Sequence, residues 1–197
     1  TAQAAAGTAT RTGLGQKLVL IEPHNFRMGA SRNEPGRRAN ENEHEVLMRQ
    51  KFYLSEREVT NAEYLRFRPQ HTSGISGNRS LDVASHPVVN VAWADAARFM
   101  NWLSRKDGLP PYYTEKGGTM VAEDPKGTGY RLPTDAEWEK AARGTDGSLH
   151  PWGNNPPDGT LCNFRNNEAR TTPVGHYAPK GDSPYGCADM AGNVWEW

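Results

Sequence analysis

Gly129-Tyr130-Arg131-Leu132-Pro133-Thr134-Asp135-Ala136-Glu137-Trp138-Glu139 carries a short extended segment straight into the start of a helix. Thr134-Asp135-Ala136-Glu137 has the spacing of a capping box, in which the threonine hydroxyl accepts a first-turn amide and the glutamate reaches back to the cap. The spacing predicts a helix from Thr134 to Gly144. Thr60-Asn61-Ala62-Glu63 repeats the device and opens a helix ending near Pro69, after a stretch in which Phe52 and Leu54 alternate with polar residues. Two boxes, each behind a β-like segment, predict an α+β fold with helices packed on a mixed sheet.

Working outward, Trp93, Ala96, Ala97, Met100, Leu103 and Ser104 recur at helical steps, with Arg98, Asn101, Arg105 and Lys106 on the other face. This is an amphipathic helix closed by Gly108 and Pro110. Upstream, Leu18-Val19-Leu20-Ile21 and Phe26-Arg27-Met28-Gly29 read as the two arms of a hairpin, followed by a polar loop from 30 to 45. Residues 1–15 are Ala, Gly and Thr with almost no bulky side chain and read as a flexible linker from an upstream domain or anchor. A single domain is expected over 16–197.

Composition agrees with a loop-rich fold held by aromatic clusters: 36% of residues are hydrophobic, against 20 glycines, 14 prolines and 6 tryptophans. The 23 basic and 23 acidic residues cancel, so no global field draws in nucleic acid or an anionic membrane. The basic Arg32, Arg37 and Arg38 are neutralised locally by Glu34, Glu41, Glu43 and Glu45 and read as a solvated loop. No apolar run reaches membrane-spanning length and no segment reads as a signal peptide. Cys162 and Cys187 are too few for a disulfide framework and suit either one disulfide or two buried thiols.

After His150 periodicity fades into Pro, Gly and Asn, and so much irregular backbone needs a partner for its carbonyls, for which a bound metal is one candidate. The sequence ends on Gly192-Asn193-Val194-Trp195-Glu196-Trp197, two indoles and a carboxylate behind a glycine turn. Such a motif belongs inside a domain, so the chain is expected to continue beyond it. The start at Thr1 likewise points to a longer gene product. In Asp189-Met190-Ala191-Gly192-Asn193-Val194-Trp195-Glu196, two carboxylates bracket backbone carbonyls, a hard-oxygen set that suits calcium. The alternative has Asp189 capping a turn and Glu196 paired with an arginine.

These segments resemble the sulfatase-modifying-factor family, that of the formylglycine-generating enzyme. The likeness is carried by Phe26-Arg27-Met28-Gly29, Glu58-Val59-Thr60-Asn61-Ala62-Glu63-Tyr64, His86-Pro87-Val88-Val89-Asn90-Val91-Ala92-Trp93, Ala96-Ala97-Arg98-Phe99-Met100-Asn101-Trp102-Leu103, the Gly129 to Glu139 stretch, Pro151-Trp152-Gly153 and Asp189 to Trp197. They run in the family's order over nearly everything after the linker. The resemblance implies an α+β, C-type-lectin-like fold of low regular structure, truncated at its C-terminal end. It also implies calcium held by the side chains of Asp189 and Glu196 and the carbonyls of Gly192 and Val194. A second calcium site would use the Asn163 side chain and the Phe164 carbonyl, although the loop 165–170 that should complete it is shorter here.

Enzymes of the family hold copper(I) with two cysteines and oxidise a substrate cysteine within a Cys-x-Pro-x-Arg sulfatase segment, but those ligands lie downstream of the tryptophan motif. Cys162 and Cys187 match neither and read as buried thiols. The six histidines form no close ligand pair, His86 reading as the fixed entrance to a strand. No phosphate loop, dinucleotide fingerprint or GxSxG elbow occurs. The six tryptophans read as core.

The fold alone does not decide function. The leading expectation is a calcium-stabilised, non-catalytic binding or accessory domain for a protein or peptide partner, tethered outside the cytoplasm, whether periplasmic or secreted, with no nucleic-acid role and no membrane insertion in this segment. One alternative is the N-terminal part of a copper-dependent formylglycine-generating oxidase. Another is a diversity-generating-retroelement variable protein.

Overall fold

The computed structural model describes residues 10–122, 127–165 and 167–197. Its strands are short: β1 (Thr10–Arg11), β2 (Lys17–Ile21), β3 (Phe26–Met28), β4 (His44–Val46), β5 (Phe52–Ser55), β6 (Ile75–Ser76), β7 (Arg79–Ser80), β8 (Tyr113–Lys116) and β9 (Thr119–Ala122). Three helices, α1 (Asn61–Tyr64), α2 (Trp93–Lys106) and α3 (Asp135–Arg143), lie among them. Among the described residues no helix or strand follows Arg143, which agrees with the low regular structure expected.

Both capping boxes form. Thr60 accepts from the Glu63 amide at 3.2 Å and Glu63 Oε2 takes the Thr60 amide at 2.8 Å. Thr134 and Glu137 do the same at 3.3 and 2.9 Å. The first box supports only one helical turn, which relaxes into further turns through Arg68. α2 begins without a side-chain cap at Ala92, and its dipole is met instead by Asp95 in the first turn and Arg105 and Lys106 in the last.

β1, β2 and β5 form one antiparallel sheet in that order, with Leu18 opposite Ser55 and Ile21 opposite Phe52. The other ladders pair β3 with β4, β6 with β7 and β8 with β9, all antiparallel, so the expected mixed sheet is replaced by small antiparallel ones. The expected hairpin between β2 and β3 does not form either. Between them lies Pro23, which has no amide to donate, and the Glu22 and His24 carbonyls turn instead onto the Lys140 ammonium. The described part of the expected linker is also structured: β1 pairs with β2, Thr12 is buried, and the Gly13 amide donates to Asp107 at 2.8 Å. The remainder of that linker, 1–9, lies outside the described residues.

One core gathers Ile21, Ala141, Ala142, Cys187 and Met190, with Val19, Phe52, Leu54, Trp138 and Tyr185 around it. It places α3 and the segment 187–190 against the first sheet. A second core sets Ala97 of α2 against Tyr113 and Met120 of the β8–β9 hairpin. The α2 faces differ from the expected division in two respects. Asn101 is buried because its amide donates to the Tyr113 carbonyl at 2.7 Å and its oxygen accepts the Tyr113 amide at 3.0 Å. Trp93 is 38% exposed, its ring standing edge-on to Tyr113.

Candidate metal centre

Three residues with positive φ, Asp189 (58°), Gly192 (90°) and Asn193 (58°), fold the terminal motif into a tight loop. Glycine is required at 192, where a Cβ would lie 2.2 Å from the Asn163 carbonyl oxygen. Asn193 is one of the polar residues that tolerate the left-handed region. The same close approach lets the Asn193 amide donate to the Asn163 carbonyl at 2.9 Å. The two stretches singled out in the sequence, Asn163-Phe164 and Asp189 to Glu196, are therefore in direct contact.

Asp189 is buried and its Oδ2 accepts the Gly175 amide at 2.5 Å. Glu196 Oε2 accepts the Trp138 indole N–H at 2.6 Å, so the glutamate is partnered by an indole rather than by the alternative arginine. The Gly192 carbonyl accepts the Val194 amide at 2.8 Å and the Phe164 carbonyl accepts the Asn167 amide at 3.0 Å. A carbonyl oxygen has two lone pairs, so each retains capacity to bind a cation.

Glu58, which precedes the α1 box, is the group the sequence reading missed. Burial, followed by the charges of Asp189 and Glu196, pushes its carboxyl up to about 9, and it is hydrogen-bonded to Asp189. Burial raises Asp189 above the usual carboxylate range, and Glu196, an exposed residue, is shifted the same way by the desolvation of its carboxyl group beside Trp138. Arg57 and His176 pull Asp189 the other way, yet among the described residues none of the three carboxyl groups has a basic side chain within ion-pair distance. No signal in the sequence around Glu58 pointed to this role, since 135 positions separate it from the Asn193 amide that it meets.

Among the described residues no three His, Cys, Asp or Glu side chains are grouped tightly enough to hold an ion by themselves. A cation here would have to take backbone carbonyls together with carboxylates. That mixture of hard oxygens, without a cationic partner, is chemically matched to calcium, which accepts six to eight such ligands in flexible geometry.

Beside this loop runs a groove of ≈ 390 Å³ lined by Trp138, Trp195, Trp197, Asp135 and Glu196 among others. Trp195 is 98% exposed and Trp197 59%, the latter anchored by its N–H on the Val91 carbonyl at 2.8 Å. With Trp93 also exposed and Trp102, Trp138 and Trp152 half-buried, the expectation of six core tryptophans is corrected: none is fully buried. The exposed ones sit on irregular backbone or at a helix start, where one face of the ring has no facing element.

Both cysteines are free and buried, as read for this pair. Burial raises Cys162 and pushes the Cys187 thiol up to about 12. Neither is poised as a thiolate, the form in which cysteine attacks or binds metal. His86 is buried on Thr171, its Nδ1 lying 2.9 Å from Oγ1. It sits at the Thr60–Pro87 bridge, which it helps to fix.

Residues 2–197 match the sequence model of the sulfatase-modifying factor enzyme 1-like domain. A formylglycine-generating enzyme of Thermomonospora curvata is 35% identical over 135 residues, covering 61% of this chain and 35% of that enzyme. The chaperone protein LppX of Paenibacillus barcinonensis is 29% identical over 226 residues, covering 98% of this chain and 74% of LppX. Among solved structures, Treponema denticola variable protein 1 superimposes with a TM-score of 0.76 at 27% identity, covering 96% of this chain and 75% of that one. The chain thus spans about a third of the length of the formylglycine-generating enzyme it matches.

Proposed function

Since the chain belongs to the sulfatase-modifying factor family, we propose that it is a calcium-stabilised, non-catalytic binding or accessory domain of that family. The observation that carries this reading is the terminal loop, where Asp189 and Glu196 bracket the Gly192 and Val194 carbonyls, with the Glu58 carboxyl, pushed up to about 9 and so protonated at neutral pH, lying beside them. Calcium supplies the missing positive charge and ligates irregular backbone that has no sheet or helix to satisfy it. Asp189 and Glu196 would hold it with the two carbonyls, and Asn163 and Phe164 would contribute to a second site.

The non-catalytic part of the reading is supported by the two thiols, buried and held protonated. The similarity to a chaperone-named protein over nearly the whole chain favours a protein or peptide partner. An extracytoplasmic location goes with this reading, because extracellular modules bind calcium at 10⁻⁴ to about 10⁻³ M, the supply found there.

A second reading, part of a copper-dependent formylglycine-generating oxidase, is favoured by the 35% identity to an enzyme of that name. It requires thiolate ligands other than Cys162 and Cys187. A third, a ligand-binding variable protein, is favoured by the Treponema structure.

The test of the leading reading is thermal melting in EDTA and in excess calcium. Ligand present at 100 times its dissociation constant adds about 2.7 kcal/mol, and a chain of this length shifts by about 2–4 °C per kcal/mol, so calcium should raise Tm by at least about 5 °C. Equal midpoints in the two conditions would rule the calcium reading out.

A further inference from the structure

The β1–β2 ladder sets Arg11 directly opposite Lys17, and the end of β5 brings Glu56 to the other side of Lys17, its amide donating to the Lys17 carbonyl at 2.9 Å. Residues opposite each other in an antiparallel pair share one face of the sheet, and like charges in that position destabilise the pairing. Glu56 relieves only half of this repulsion. Its Oε1 takes the Lys17 ammonium, whereas Arg11 forms no ion pair among the described residues and donates through Nη1 to the Gly15 carbonyl at 2.7 Å.

A third cation follows in the connection from β5 to α1. The Arg57 guanidinium lies against Gly175, where a Cβ would be 2.9 Å from its Cζ and Nε, and Nε stands 3.7 Å from Glu56 Oε2. Its terminal nitrogens donate no hydrogen bond among the described residues. Arg11, Lys17 and Arg57 border one concave pocket of ≈ 330 Å³. The three carboxyl groups on its wall are already committed. Glu56 meets Lys17 and Arg57, Glu63 Oε2 takes the Thr60 amide and hydroxyl at 2.8 Å each, and Glu58 is bonded to Asn193 and Asp189. What faces the space uncommitted is guanidinium N–H from two separate segments.

We propose that this pocket binds a phosphate dianion, free or borne on a small phosphomonoester, with the Arg11 and Arg57 guanidinium groups as direct donors and the Lys17 ammonium balancing its charge. A planar carboxylate is satisfied by one guanidinium fork. A phosphate carries up to two charges and at least three acceptor oxygens pointing in different directions, which suits donors arriving from β1 and from the β5–α1 connection. The bound anion would also remove the repulsion between Arg11 and Lys17. Because the donors are side chains on paired strands and a connection, no glycine-rich phosphate loop marks the site in the sequence. The site stands apart from the calcium reading and does not depend on it.

The experiment is calorimetric titration of the full chain, in calcium-free buffer of low ionic strength, with sodium phosphate, glycerol 2-phosphate and succinate in parallel. The expected result is saturable binding of one equivalent of phosphate or of glycerol 2-phosphate and none of succinate at the same concentration. Tighter binding of the ester assigns the site to a phosphomonoester, and tighter binding of phosphate to the free anion. Arg57→Gln and Arg11→Gln should each weaken binding by at least about ten-fold, the loss of a charge-assisted bond. Arg27→Gln, which removes an arginine outside the pocket that is paired with Glu43, should leave it unchanged. If Arg57→Gln loses the native circular dichroism, Arg11→Gln decides. No saturable heat with either phosphate, equal binding of succinate, or a loss matched by Arg27→Gln would overturn the proposal. A lowered Tm in the pocket variants with unchanged phosphate affinity would mean that these arginines are only structural, and would overturn it as well.

Discussion

Lys140 is fully buried, and its ammonium is satisfied by the Glu22 and His24 carbonyls. Burial lowers its pKa. Charge-assisted bonds contribute about 1.5–3 kcal/mol each, so Lys140→Met should destabilise by at least about 2 kcal/mol, read as a lower denaturation midpoint at unchanged slope. His86 gives a pH dependence. Burial first, and Arg170 second, hold it below its ordinary value of 6.5, so it is neutral in the fold. A depressed pKa contributes stability that is present above pH 6.5 and is lost as pH falls through the folded value, because the unfolded chain takes up the proton first. The wild type should therefore lose more Tm than His86→Gln between pH 7 and pH 5, a single group contributing at most about 1.4 kcal/mol per pH unit. Parallel curves for the two proteins would show that His86 does not titrate in that window. Neither residue's environment was legible in the sequence. A lysine within a helix carries no sign in the sequence that its ammonium meets carbonyls more than a hundred positions away.

At the scale of elements, both helix starts were legible because a capping box is written within four residues. Thr134→Ala should cost about 1 kcal/mol, or about 2–4 °C in Tm. Glu137→Ala should cost more, since Glu137 also forms a two-pronged pair with Arg131 at 2.5 and 2.7 Å and its loss leaves that guanidinium unpaired. Equal Tm losses for the two variants would mean that the Arg131 pair adds nothing. What local pattern could not supply was partnership. Alternation marked β2 and β3 as strands but could not say that β2 pairs with β1 and β5. The helical period of α2 assigned Asn101 to solvent because it is polar, whereas both halves of its amide are needed by Tyr113.

Over the whole molecule, the segment after α3, without regular structure among the described residues, carries the candidate site. The family motifs identified the fold, and the Asp189 to Glu196 spacing pointed to the oxygen donors proposed here for calcium, because those residues lie within eight positions. Glu58, Trp138 and Asn163 join them only through the tertiary fold. The tryptophans were misassigned for a related reason: indoles predict burial on average, but here three of them edge an open groove. The two thiols yield a prediction at this scale. A soluble disulfide reagent should label neither Cys162 nor Cys187 at an appreciable rate in the native protein, and both promptly in denaturant. Fast labelling of either in the native state would revive a role for it in chemistry.

The most direct test is calorimetric titration of calcium into the metal-free chain, alongside an Asp189→Asn, Glu196→Gln double variant whose native circular dichroism is checked first. The predicted result is saturable binding by the wild type, with the binding at the terminal loop lost in the variant. An isotherm unchanged by the double substitution, or no binding by the wild type, would contradict the assignment of the terminal loop as a calcium site.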